Sequence, residues 1–270
     1  MTAVDDPIGL VSFVGAGPGA ADLLTLRAVD RLARADVVVW ASSLIPEDVL
    51  DHARAGAVVH DSAGMTHDDV VAVYGRHRDD RVVRLHSGDV SIYSAIHEQI
   101  EWCRAAGHPF EIVPGVGSVA AASAAIGREL TVPGVAQALI STRLPGRTAA
   151  SVPPNEDLTR FASHGTTMAV YLSAARPEEL RDRLLAGGAY DEDTPAVVVV
   201  RVSWPDEQVV ATTVGGLVEA VRATGARTVA LVLVGDALRE AGRHSHLYDP
   251  TYAHGHRRRS LPGTTTGRPR

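Results

Sequence analysis

The strongest constraint on the fold is the regular exchange of short, valine-rich apolar runs with amphipathic stretches over the first 113 residues. Apolar runs fall at about 8–14 (IGLVSFV), 36–40 (DVVVW), 57–60, 81–86 (RVVRLH) and 110–113 (FEIV). Between them, helical periodicity marks about 21–34, 46–54, 66–78 and 91–106. Strand and helix in alternation predict a mostly parallel sheet with helices on its faces. Aromatic residues make up only 4% of the chain, so Val, Ala and Leu must build the core, as suits buried parallel strands.

The pattern changes at SVAAASAAIG (118–127), a small-residue helix suited to close packing, and at STRLPGRTAASVPPNED (141–157), which reads as a loop. Alternation then resumes: strand 166–172, helix 176–187, strands 196–202 and 208–213, helix 214–223 and strand 228–234. SWPDE (203–207) joins two of these strands as a hairpin. The expectation is an α/β protein of two α/β domains, 1–118 and 119–253, with a flexible tail at 254–270.

Charge and cysteine content narrow the function. A net charge of −6 with no long basic face argues against nucleic acid as a partner. The single Cys103 excludes an intramolecular disulfide framework and a cysteine-rich zinc site. His244 and His246, like His254 and His256, lack a third ligand at a recognised spacing, so no metal is expected. No apolar run approaches the roughly 20 residues of a membrane span. The acidic start MTAVDDPIGL is no signal peptide, so the expected location is cytoplasmic. The RRR run at 257–259 reads as part of a solvated tail.

Chemistry concentrates in three glycine-rich segments at strand ends. Val14–Gly19 (VGAGPG) follows a strand and opens a helix, which fits a relaxed dinucleotide fingerprint and makes an NAD-dependent oxidoreductase one rival reading. Two details oppose it: Pro18 has no N–H to offer a pyrophosphate, and no acid ends the second strand. Ser87-Gly88-Asp89 lies at the end of the fourth strand, and Pro114–Ser118 (PGVGS) after the fifth. Parallel sheets bind ligands beyond the carboxyl ends of their strands, so the three loops should converge on one crevice. Asp89 also has a plain structural reading, as the N-cap of a helix beginning at Val90. A ligand-binding regulatory module without turnover is the non-enzymatic alternative.

These segments, with GAGPGAADLLT (15–25), ADVVVW (35–40) and EIVPGVGS (111–118), resemble the tetrapyrrole methyltransferases of cobalamin and sirohaem synthesis in order and spacing over about residues 8–255. Within that family the chain is most similar to the precorrin-4 enzymes that methylate carbon 11, through ASSLIPEDVL (41–50), DSAGMT (61–66), RLHSGDVSIYSAIHEQ (84–99), ELTVPGVAQALISTRLPGRT (129–148), SWPDE and LYDPTYAHGHR (247–257). The resemblance implies a homodimer of two α/β domains, of the tetrapyrrole methylase type, with S-adenosylmethionine in the cleft between them and S-adenosylhomocysteine as product. It implies cofactor contacts at Pro18, Ser87, Gly88, Asp89, Ile92, Gly117, Ser118, Leu172 and Val202. It departs from many relatives at Ser42, where they carry an acid. A sister enzyme acting at another tetrapyrrole carbon is the alternative within the family.

The implied acceptor is a reduced macrocycle with several carboxylates, which calls for arginine. Candidates are Arg84, His86, Arg128, Arg143, Arg147 and Arg201. His86 and Tyr93 are the candidate catalytic side chains, Tyr93 being placed on a helix after the Ser87–Asp89 loop. Met65 reads as a buried gap-filler.

Overall fold

The computed structural model describes residues 7–146, 149–239, 245, 247, 249 and 252–256. Arg147, His244, His246 and the 257–259 run lie outside them. Two compact units result: Met1–Ile126 with Val199–Val209 and Arg227–Leu231, and Gly127–Val198 with Val210–Ala226 and Val232–Arg270.

The first unit is built on β1 (Val11–Gly15), α1 (Leu26–Arg34), β2 (Val37–Trp40), β3 (Val58–Asp61), α2 (His67–Arg76), β4 (Val82–His86), α3 (His97–Ala106), β5 (Phe110–Val113) and α4 (Ser118–Ala125). Its sheet has the order β3-β2-β4-β1-β5, and every pairing is parallel. One face packs Phe13, Val39, Val73, Tyr74, Ile100 and Cys103, and so carries α2 and α3. The other packs Val14, Ala28, Leu32, Trp40, Val83 and Leu85 under α1. Burial of each Val, Leu, Ile or Phe among them stabilises the fold by about 1.5–3 kcal/mol. Local signals agree with these placements: the Thr25 hydroxyl caps α1 at Ala28 N (3.1 Å), and Thr66 with Asp69 forms a capping box on α2.

The second unit contributes β6 (Leu139–Arg143), α5 (Leu158–Ala162), β7 (Thr167–Tyr171), α6 (Pro177–Ala186), β8 (Pro195–Val200), β9 (Gln208–Thr213), α7 (Leu217–Thr224) and β10 (Ala230–Val234). The strand order is β6-β7-β10-β8-β9. β8 and β9 are neighbours joined by residues 201–207, too short a link for a parallel crossover, so the expected hairpin is present.

The structure corrects three expectations. Residues 91–96 are not helical, and α3 begins only at His97; Tyr93 and Ala95 have φ of 54° and 49°, which no right-handed helix allows. The segment 46–54 forms a 3-10 helix over Glu47–His52. Part of the presumed loop 141–157 is ordered structure, because β6 runs to Arg143 beside β7.

Asp36 ties together the segments that lead into β2, β3 and β4. Its carboxylate accepts from Arg81 N (2.9 Å) and Arg81 Nε (3.0 Å) and pairs with Arg54 (2.8 Å). The Arg81 bonds hold its pKa below the ordinary aspartate value. A depressed folded-state pKa contributes stability that is present above the ordinary value, near about 3.9, and is lost as pH falls through the folded pKa. Asp36→Asn should therefore cost about 1.5–3 kcal/mol at neutral pH, the range for hydrogen bonds to charged groups, and the gap to the parent should close below about pH 4. Urea titrations at pH 7 and pH 3 measure both limits; an equal deficit at each pH would refute this role.

Candidate functional site

The strand order sets the site. β1 lies between β4 and β5, so the three glycine-rich loops leave three adjacent parallel strands at their carboxyl ends. They are fastened to one another by main chain. Gly17 and Gly88 exchange both hydrogen bonds (3.1 and 2.7 Å), and Ala16 N donates to His86 O (2.7 Å). Both glycines hold positive φ, 74° and 70°, which an L side chain resists. Asp89 accepts from Gly115 N (2.8 Å), tying the β4 loop to the β5 loop.

No side chain fits where these loops cross. A Cβ on Gly115 would stand 2.3 Å from Gly88 O and 2.9 Å from Gly15 Cα. One on Gly15 would stand 2.6 Å from Gly115 N. The glycines are thus required for backbone to pass against backbone, as well as for tight turns.

Asp89 is not a helix N-cap. Its carboxylate accepts from Ser91 N (2.9 Å) and the Ser91 hydroxyl as well as from Gly115 N, and this bends 91–96 out of helical geometry. Burial, the largest single influence, would raise its pKa, but the hydrogen bonds from Ser91 and Gly115 together outweigh it and hold the carboxyl low. Asp89 stays ionised and spends both oxygens on the loops.

What the loops leave unspent is informative. The Ser87 and Ser118 hydroxyls bond no described residue, although Ser118 Oγ lies only 3.3 Å from where a Cβ on Gly88 would stand. α4 opens at Ser118 without a side-chain cap. Ile92 and Tyr93 stand 43% and 49% exposed beside the loop. Such a set of hydroxyls, first-turn amides and apolar surface fits a ligand that combines hydrogen-bonding groups with apolar area.

A dinucleotide fits badly. Ala16, Gly17 and Ala20 already donate their N–H groups to His86 O, Gly88 O and Ser203 Oγ, and Pro18 has none. Among the described residues, Gly19 keeps the one free amide of the turn, too few to cradle a pyrophosphate. The sheet order also differs from the 3-2-1-4-5-6 of dinucleotide-binding folds.

Arg84 and His86 share the Phe13 face of the sheet with Tyr74. Arg84 donates to Ser62 Oγ (2.6 Å), its Nε is sealed from solvent without a partner, and desolvation lowers its pKa. Among the described residues no carboxylate pairs with it. Burial pushes the His86 imidazole down to about 3, with Arg84 adding to the effect and a backbone hydrogen bond at Ser94 opposing it. His86 is therefore a neutral ring packed 6.1 Å from Phe13, and too weak a base to hold a proton at neutral pH. At Ser42 a carboxylate is nevertheless close: Asp61, at the end of β3, accepts from the Ser42 hydroxyl (2.6 Å) and amide (3.1 Å).

The remaining candidates divide between the units. Val202 is buried in the first unit, beside Ser203 and Trp204. That tripeptide supplies contacts that sequence reasoning missed: Trp204 Nε1 donates to Pro18 O (3.0 Å) and Ala20 N donates to Ser203 Oγ (2.9 Å). Leu172, Arg128 and Arg143 belong to the second unit; Leu172 is exposed at φ 53°, and Arg143 donates to Ser151 Oγ (2.9 Å). Among the described residues no group of His, Cys, Asp and Glu is arranged to hold a metal, and no helix is long and apolar enough to cross a membrane.

Known proteins match this arrangement. The family profile of the tetrapyrrole (corrin/porphyrin) methylases fits residues 10–218. A cobalt-precorrin-4 C(11)-methyltransferase of Priestia megaterium is 43% identical over 251 residues, covering 91% of this chain and 96% of the relative. A precorrin-4 C(11)-methyltransferase of a Sinorhizobium species is 41% identical, covering 90% and 96%. The X-ray structure of a cobalt precorrin-4 methyltransferase of cobalamin biosynthesis superposes with a TM-score of 0.82 at 41% identity, covering 87% of this chain and all of that one. A uroporphyrin-III C-methyltransferase of Thermus thermophilus, solved with S-adenosylhomocysteine, gives a TM-score of 0.70 at 31% identity, covering 85% and 98%.

Proposed function

The chain belongs to the tetrapyrrole (corrin/porphyrin) methylases, and from that premise we propose that it transfers a methyl group from S-adenosylmethionine to carbon 11 of precorrin-4 or cobalt-precorrin-4 in cobalamin biosynthesis. The observation that carries this reading is the interlock of Gly17, Gly88 and Gly115 around the unspent Ser87 and Ser118 hydroxyls.

The residues that would hold the cofactor are Pro18, Ser87, Gly88, Ile92, Gly117, Ser118 and Val202, with Leu172 from the second unit. Asp89 serves them by fixing the Gly115 loop. When bound, the cofactor supplies a methyl group already activated on a sulfonium. The protein's part is then to align donor and acceptor and to exclude water, which are the main sources of rate in a displacement of this kind. Arg84, Arg128, Arg143 and Arg147 are assigned to the carboxylates of the macrocycle, because a guanidinium meets a carboxylate with two parallel hydrogen bonds. With its imidazole neutral, His86 orients or packs rather than takes a proton. Tyr93 remains the candidate for contact with the reacting centre. The same reading includes a homodimer in the cytoplasm.

Calorimetry with S-adenosylhomocysteine should give micromolar binding, and nicotinamide dinucleotides none. With isotopically labelled cofactor, the product's label belongs at carbon 11. Light scattering should find twice the chain mass. A label at carbon 17 or 20 would reassign the enzyme within the family, and absence of S-adenosylhomocysteine binding would overturn the reading as a whole.

A further inference from the structure

The link between β8 and β9 is a strained device. Arg201 and Ser203 hold φ of 48° and 66°, and Val229, whose carbonyl accepts from Arg201 N (2.9 Å), holds 52°. None is glycine, so each occupies a region that its side chain disfavours. Several contacts enforce the shape. Ser203 N donates to Glu207 Oε2 (2.6 Å), Trp204 N to Arg201 O (2.9 Å), and Arg201 pairs with Asp206 while its guanidinium lies 5.6 Å from the Trp204 ring. Strain maintained in this way marks a segment whose geometry is used.

Its use is visible at the other end of the contacts. Ser203 Oγ receives Ala20 N–H, and the Trp204 indole N–H reaches Pro18 O. The two peptide units flanking Gly19 are thereby both held. In a trans peptide the N–H points opposite to the C=O, so anchoring Pro18 O on the indole turns Gly19 N–H away from it. That amide is the one in the turn left without an internal acceptor. Gly19 itself has no room for a side chain: a Cβ would stand 2.2 Å from the indole Cδ1 and 3.0 Å from Ser203 Oγ. The indole also walls a cavity of about 390 Å³ with Asp22, Pro46 and Asp48, so removing it opens the turn to water.

We propose that Ser203 and Trp204 are positioning residues that clamp the Gly17–Ala20 turn in the conformation that receives S-adenosylmethionine and leave the Gly19 amide to the ligand. This rests on the assignment of that turn to the cofactor site. The clamp acts through the backbone of the turn, so it should set cofactor affinity more than fold stability.

Calorimetry with S-adenosylhomocysteine on the full chain tests it, with melting temperatures recorded in parallel. Trp204→Phe keeps the ring over Gly19 but loses the N–H, and should weaken binding about tenfold with little change in melting. Ser203→Gly removes the hydroxyl but relieves the left-handed strain, and should also weaken binding about tenfold in a fold no less stable. Gly19→Ala should weaken binding by roughly a hundredfold, and Trp204→Ala placed on top should make it no worse, because the clash leaves with the indole. Parental affinity in both Trp204→Phe and Ser203→Gly overturns the clamp, and so does rescue by glycine at 203 of a loss seen with Ser203→Ala. A parent chain that binds no S-adenosylhomocysteine overturns the functional assignment itself, a separate outcome.

Discussion

A single methyl group added at Gly115 should disable the enzyme. The Cβ of Gly115→Ala would meet Gly88 O at 2.3 Å and Gly15 Cα at 2.9 Å, both main-chain atoms at the ends of adjacent strands. A flexible side chain can swing aside; these carbonyl and Cα positions are fixed by the β1–β4 register and the Gly17–Gly88 bridge. The loops must part, which also breaks the 2.8 Å bond from Gly115 N to Asp89. Overpacking of this kind costs about 1–3 kcal/mol, equivalent to a fall of roughly 2–10 °C in Tm for a chain of this size. The functional loss should be larger than the structural one. A displacement of about an ångström at a binding loop costs roughly a hundredfold, so affinity for S-adenosylhomocysteine should fall by about that factor while the chain stays folded at 25 °C. Gly64→Ala is the control, since a Cβ there meets nothing within 4 Å and its φ is ordinary. Parental affinity in Gly115→Ala would mean that the loops do not need to touch.

Much of this was legible in the sequence because it depended on local pattern. β1, β2, β4 and β5 declare themselves as short apolar runs, and glycine at or within two residues of a strand end in three places announces loops with unusual backbone demands. The converging loops follow from parallel topology. What was not legible arises between residues far apart in the chain. SIYSAI (91–96) has helical periodicity, yet the Asp89 carboxylate captures Ser91 and Gly115, and tertiary contacts override the propensity. LISTR runs into a stretch with three prolines that reads as a loop, and is β6 through its pairing with β7. The contacts of Trp204 and Ser203 with the first glycine turn span more than 180 residues, and nothing in SWPDE beyond a hairpin tip points to them. The neutrality of His86 is likewise a property of its surroundings: a strand-end histidine next to a glycine loop suggests a base until its burial is known.

Arg84 should prove a residue that the fold tolerates at a cost and the substrate requires. Its guanidinium is desolvated, its Nε is sealed without a partner, and its bonded neighbour is the neutral Ser62 hydroxyl. Tyr74 beside it does not supply a negative charge, because burial raises the phenol pKa far above neutrality. A buried cation without a counter-charge costs several kcal/mol, and replacing buried charge by apolar side chains of similar length is often stabilising by about 1–4 kcal/mol. Arg84→Met should therefore raise Tm by a few degrees. Ser62 loses little, since its hydroxyl still donates to Trp40 O (2.7 Å). If Arg84 binds the macrocycle as proposed, a substrate carboxylate would supply the missing counter-charge, through charge-assisted bonds of about 1.5–3 kcal/mol. The same substitution should thus raise the KM for the tetrapyrrole by roughly 10- to 100-fold and leave S-adenosylhomocysteine affinity unchanged. Arg84→Lys retains the charge without the planar fork and should fall between parent and Arg84→Met in KM. Steady-state kinetics and thermal melts on the three proteins read both effects at once. A variant that melts lower and keeps its KM would make Arg84 a structural residue; one that melts higher and loses only substrate affinity identifies it as the macrocycle's anchor.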